Sequence, residues 1–191
     1  MKNQKDIPPV IEPKDVFTGN ASAPITIMEF GDYESEACAK AHEVVKQLLE
    51  VYEGKVKFVF RHFPLTKIHQ KAHKAAEAAI AAAQEGKFWD MHSALFANRR
   101  NLGVISLKSY AKEIGTTNKR FLDDLINGTY GWNVQGDLME GLEKGVRDIP
   151  TFFINNQKVE GEATFKNLSK AIEETIAEGG WSATSAKRKR A

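Results

Sequence analysis

The chain has 191 residues, 42% hydrophobic and 27% charged, with a formal net charge of +2. That balance suits one globular domain, with room for an inserted subdomain, that buries its own core, and it is too near neutral to point to nucleic acid as the main partner. One cysteine, Cys38, excludes an internal disulfide and is compatible with a reducing compartment. The opening "MKNQKDIPPVIEPKD" lacks the apolar run of a secretory leader, and no stretch approaches a membrane span in length. The expected setting is cytoplasmic, or periplasmic for a chain trimmed from a longer precursor.

Residues 1–22 read as an extended arm, because Pro8, Pro9 and Pro13 oppose helix and Gly19-Asn20 marks a turn. "PITIMEFGDY" predicts a buried strand over residues 25–31. Val44, Val45, Leu48, Leu49 and Tyr52 recur at helical spacing and predict a helix over 36–52, closed by Gly54. Val56, Phe58 and Phe60 alternate in "KVKFVFRHF" and predict a second strand over 55–62, stopped at Pro64. Strand, helix and strand make a βαβ unit with parallel strands and a right-handed crossover.

Residues 67–145 read as a helical block. "AHKAAEAAIAAAQEG" is alanine-rich, which favours helix and close helix packing. "FWDMHSALFANR" continues the pattern, and two short amphipathic helices follow, closed by Gly115 and Gly128. A fifth helix, in "WNVQGDLMEGLEKG", is weakened by Gly136 and Gly141. "PTFFINNQKVEG" predicts a β-hairpin turning at Asn155-Asn156. A last helix covers residues 165–178, and the basic tail 181–191, ending in "KRKRA", is expected to be disordered.

The order βαβ, helices, ββα predicts an α/β thioredoxin fold: a four-stranded mixed sheet split into halves 23–66 and 146–180 by a helical insertion at 67–145. "APITIMEFGDYESEACAKAHEVVKQLLEVY", "VKFVFRHFPL", "AAEAAIAAAQEGKFWDMHSALF" and "GVRDIPTFFINN" resemble the DsbA family of thiol–disulfide oxidoreductases. They are especially similar to the thioredoxin-like domains fused to some bacterial sodium/proton antiporters. In that family the first helix opens with Cys-Pro-x-Cys. Carried across, the first cysteine falls on Ser35, the proline on Glu36 and the second cysteine on Cys38. The family's cis-proline loop, usually Gly-Thr-Pro-Thr, falls on Asp148-Ile149-Pro150-Thr151, which departs at its first two positions. The resemblance implies catalytic positions at Ser35 and Cys38. It also implies a substrate edge at Tyr33, Ile149, Pro150 and Thr151 for peptide or protein thiols.

The residues limit that chemistry. A first-position cysteine attacks as a thiolate, stabilised at a helix N-terminus; a serine hydroxyl stays protonated without an adjacent base. Ser35 and Cys38 cannot form a disulfide, so a dithiol cycle within one chain is excluded. Cys38 is either a one-thiol nucleophile or, the favoured reading, a buried core residue. Asp32, Glu34 and Glu36 crowd the helix start and oppose a thiolate, and His42, one turn further on, is a candidate modulator of the thiol alongside Glu36. Ser35 is either an N-cap or a hydrogen-bond donor to a ligand thiolate. The second role resembles the serine of kappa-class glutathione transferases, which makes glutathione the one ligand cofactor to consider. His69 and His73, four apart, are expected to be exposed polar residues without a third metal ligand; His62 and His92 are expected in the core or an interface. The resulting expectation is a degenerate DsbA-like protein with an SxxC site, little or no dithiol redox activity, and a groove between Ser35–Cys38 and Pro150. The alternatives are a glutathione-dependent transferase or isomerase using Ser35, and a non-catalytic peptide-binding module.

Overall fold

The computed structural model describes residues 10–179. The predicted basic tail at 181–191 lies outside them, as do residues 1–9. A 3-10 turn at Pro13–Asp15 leads to β1 (Thr18–Gly19), β2 (Ile25–Gly31), α1 (Glu36–Val51) and β3 (Val56–His62). Five helices follow: α2 (Ala72–Ala83), α3 (Phe88–Ala97), α4 (Val104–Glu113), α5 (Phe121–Asn127) and α6 (Gly131–Glu143). β4 (Thr151–Ile154), β5 (Gln157–Lys158) and α7 (Phe165–Glu178) follow and are the last elements among the described residues.

The sheet has the order β1-β3-β2-β4-β5. β2 and β3 are parallel, with Ile27 opposite Phe58 and Glu29 opposite Phe60. β4 runs antiparallel to β2, and β5 antiparallel to β4. Asn155 and Asn156 turn the hairpin with φ of 47° and 70°, a left-handed pair that Asn tolerates better than most residues. The sheet has five strands rather than the expected four, because the N-terminal arm is not merely extended. Thr18 and Gly19 pair with Phe58 and Lys57 of β3, and the Trp89 indole donates to the Phe17 carbonyl.

α1 and α7 pack together on one face of the sheet; α6 and the 3-10 turn lie against β3. Cys38, Ala41, Val45 and Leu48 form the buried stripe of α1, the i, i+3, i+7 recurrence of an amphipathic helix. α2 is buried on almost every side, which its alanines permit by letting α3, α5 and α6 approach closely. A second, smaller core holds Phe30, Phe63, Val146 and Phe153, with Phe30 edge-on to both other rings at 6.4 and 5.9 Å. Gly141 is required here: a Cβ on it would stand 2.7 Å from the Phe63 ring. The glycine that reads as a weakness in the helix is therefore a place where the helix backbone packs against the Phe63 and Phe30 rings.

A buried ion network fixes α6 to β3. Arg61 Nε donates to Asp137 at 2.7 Å and its guanidinium also donates to Glu140 at 2.6 Å, while Asp137 accepts the His62 backbone N–H at 2.9 Å. Burial outweighs the guanidinium and pushes Asp137 up to about 6. Removing one partner of such a network leaves a buried charge uncompensated.

Candidate functional site

The candidate site forms where β2 gives way to α1. Asp32 is buried and organises the turn: its carboxylate accepts the Glu34 N–H at 2.8 Å, the Leu65 N–H at 2.8 Å, and faces His69 Nδ1 at 2.9 Å. Glu34 turns away to accept the Lys71 N–H at 2.7 Å. Ser35 is the N-cap of α1, and its Oγ accepts the Cys38 N–H at 3.2 Å. The serine is itself 6% exposed, and Cys38 is fully buried.

Burial, with the Glu29 carboxylate beside it, pushes the Cys38 thiol far above the usual thiol range; the Ser35 hydroxyl and the Asp32 backbone oppose that shift without cancelling it. Of the three acids expected to oppose a thiolate, only Asp32 acts on Cys38. Glu36 points to solvent, paired with Lys40 at 3.1 Å and Arg99 at 3.0 Å, which hold its carboxyl below the usual range.

Glu29 is the residue the sequence reading missed. It is 1% exposed, its Oε1 has no hydrogen-bond partner, and burial pushes it up to about 8. A signal for it exists in the sequence. In β2, Ile25, Ile27 and Glu29 alternate onto one face, so an acid stands where the pattern calls for a third apolar side chain.

The Ile149–Pro150 peptide is cis. The Thr151 hydroxyl donates to the Asp148 carbonyl at 2.8 Å, tying the loop to the start of β4. Across from this loop, Ala37, Lys40, Ala41 and Val44 of α1 close a groove of about 910 Å³, whose other wall is the segment from Lys158 to Leu168. Ile149, Pro150 and Thr151 all line it. Ser35 and Cys38 do not: Ala37 is the residue of the motif that faces the groove.

Two expected site residues belong elsewhere. Tyr33 is a core residue, 1% exposed, with its hydroxyl 3.0 Å from His92 Nδ1, so its side chain is no substrate edge. The bulk and polarity of its ring favour packing among Phe60, Phe96 and His92. His42 stacks on Phe96 at 5.1 Å and meets His92 at 4.9 Å, and it is not among the groups that shift the Cys38 thiol. His62 and His92 are buried, as expected. His69 precedes α2, so it shares no helix face with His73, and both are partly buried against Asp32 and Glu77. Among the described residues no group of three or more His, Cys, Asp or Glu side chains is arranged to hold a metal ion.

Residues 12–174 match the Thioredoxin family, and the chain belongs to it. The Na(+)/H(+) antiporter NhaA 3 of Salinispora tropica is 35% identical over 164 residues, 86% of this chain and 25% of the relative. NhaA 1 of Salinispora arenicola is 34% identical over 88% of this chain and 26% of its own length. The chain thus spans about a quarter of the curated relatives it matches. BdbD from Bacillus subtilis superposes with a TM-score of 0.77 at 22% identity, covering 87% of this chain and 93% of that one. The thiol–disulfide exchange protein alpha-DsbA2 from Wolbachia pipientis gives 0.70 at 24%, covering 83% and 85%. The fold is that of the DsbA-like thioredoxins, with α2–α6 lying between β3 and β4. Among the described residues no helix is long and apolar enough to cross a membrane.

Proposed function

We propose that this chain is a degenerate member of the thiol–disulfide oxidoreductase family: it does not carry out dithiol exchange, and it uses the groove beside Pro150 to hold extended peptide segments. The observation that carries this reading is the contrast between its two halves. The thiol is fully buried, with its proton held tightly, while the groove between Ala37 and the cis-proline loop is open and largely apolar on its floor, with Ala41, Val44, Phe152 and Leu168. An apolar floor with Lys40 and Glu162 at its sides suits a peptide that buries alternate side chains and keeps its polar backbone satisfied. One cysteine requires no oxidising compartment, which is consistent with a cytoplasmic setting.

The glutathione reading has weaker support. Accepting the Cys38 N–H leaves the Ser35 O–H free to donate, but Ser35 is 6% exposed and does not line the groove, so nothing aims that hydroxyl at a thiolate held there.

The test measures insulin reduction and peptide capture with the same preparations. The reading predicts no catalysed reduction. It predicts saturable binding of extended peptides, with or without cysteine, that survives Ser35→Ala and Cys38→Ala. The exposed substitution Ala37→Trp should abolish capture by filling the groove. Robust insulin reduction, or capture unaffected by Ala37→Trp, would overturn the proposal.

A further inference from the structure

A second recess lies on the far side of α1 from the groove. It sits between α1 and α3, above β3, and has a volume of about 150 Å³. That is the size of an apolar protein cavity that takes benzene. Val45, Phe58 and Trp89 give it apolar walls, and His42 and His92 also line it.

His92 is 2% exposed, and its hydrogen bonds are incomplete. Its Nδ1 meets the Tyr33 hydroxyl at 3.0 Å. Burial holds Tyr33 protonated, with Glu29 and Asp137 acting in the same direction, and among the described residues that hydroxyl has no other acceptor. Tyr33 therefore donates to Nδ1, which puts the hydrogen of the neutral ring on Nε2. Burial keeps the ring neutral, with His42 and His62 acting in the same direction. The Nε2–H has no acceptor among the described residues. That nitrogen is not sealed from solvent; its ring lines the recess, where the N–H is free to donate to an entering acceptor.

The surroundings restrict what the donor can meet. Both imidazoles are kept neutral by burial, and Lys46 at the rim is paired with Glu43 at 3.2 Å. Nothing there calls for a charged ligand. The aromatic walls favour a planar ring, and the volume limits it to one ring.

We propose that this recess is a binding site for a small neutral aromatic molecule carrying an acceptor oxygen, its ring against Phe58 and Trp89 and its oxygen accepting from His92 Nε2. The site is separate from the cis-proline groove and stands or falls without it.

The experiment titrates the full isotope-labelled chain with phenol and with toluene, which has the same shape but no acceptor. It follows the Trp89 indole and His92 ring signals by NMR. Trp89 is a fixed reporter, because its N–H is held by the Phe17 carbonyl at 3.0 Å. The proposal predicts saturable shifts with phenol, at least about tenfold tighter binding than toluene, and loss of that preference in His92→Phe. Ser93→Trp, at the exposed rim, should block both ligands without disturbing the core, and it decides the matter if His92→Phe does not fold. No saturable shift of these two signals with phenol up to its solubility, or phenol binding that persists in Ser93→Trp, would overturn it.

Discussion

Ser35 Oγ accepts the backbone N–H of Cys38 at 3.2 Å, so the residue at the attacking position of a dithiol motif caps the helix that buries the other. The cap stabilises α1, and a serine there supplies no sulfur for a dithiol cycle within the chain. A serine at this position satisfies one of the four orphan N–H groups of the helix start, and it does not line the cis-proline groove.

That relationship predicts opposite results for two substitutions. Ser35→Ala should destabilise the fold by about 0.5–2 kcal/mol, the ordinary value of an N-cap, read as a lower midpoint in urea with unchanged slope. Ser35→Cys should restore a cysteine pair at family spacing, and oxidation should then remove both free thiols in intact-mass and thiol-counting measurements. An oxidised variant that keeps two free thiols would contradict the placement of Ser35.

Glu29 should impose a pH dependence on stability. Burial raises its carboxyl from the ordinary 4.5 to about 8, so the folded state binds the extra proton between those values. Stability contributed by the protonated carboxyl is present below pH 4.5 and lost as pH rises towards 8. The buried histidine His62, pushed down to about 3 from 6.5 by burial, acts in the opposite direction below pH 6.5. The Glu29 contribution therefore stands alone between about pH 6.5 and 8. Glu29→Gln should flatten that part of the curve. It should also raise stability at about pH 8 by roughly 2–5 kcal/mol, since each tenfold change in proton affinity on folding is worth about 1.36 kcal/mol. Urea titrations of both proteins across this range provide the check.

His62 should be a net cost to the core. Both of its ring nitrogens are buried without a partner, among the rings of Tyr33, Phe60 and Phe88. His62→Phe should stabilise the protein by about 1–3 kcal/mol, seen as a higher melting temperature, and should remove part of the loss of stability in acid. A lower melting temperature at neutral pH would mean that the ring is satisfied after all.

Much of the fold was legible because its signals are local. The alternation of Val56, Phe58 and Phe60, the helical stripe ending at Tyr52 and the Asn155-Asn156 turn each report their own element. β1 was not legible, since two residues of an arm carry no period and their pairing with Phe58 and Lys57 is decided by tertiary contact. The site was read less well for the same reason. Ser35, Cys38 and the cis-proline loop have sequence neighbours that mark them. By contrast, Tyr33 belongs to the core through His92, 59 positions away, and Glu29 acts through a burial that only the assembled sheet creates.

The claim that this site carries out no thiol exchange depends on the one thiol being sealed in the core. Alkylation of the folded protein with a thiol-specific reagent, followed by intact mass across pH, puts that to the test. A sealed Cys38 should react only at the rate of unfolding, faster in urea and in Ser35→Ala, with no titration of its own near neutral pH. Rapid labelling of the folded chain with an apparent pKa below about 8.5, the value of a free thiol, would contradict it and return one-thiol chemistry to this site.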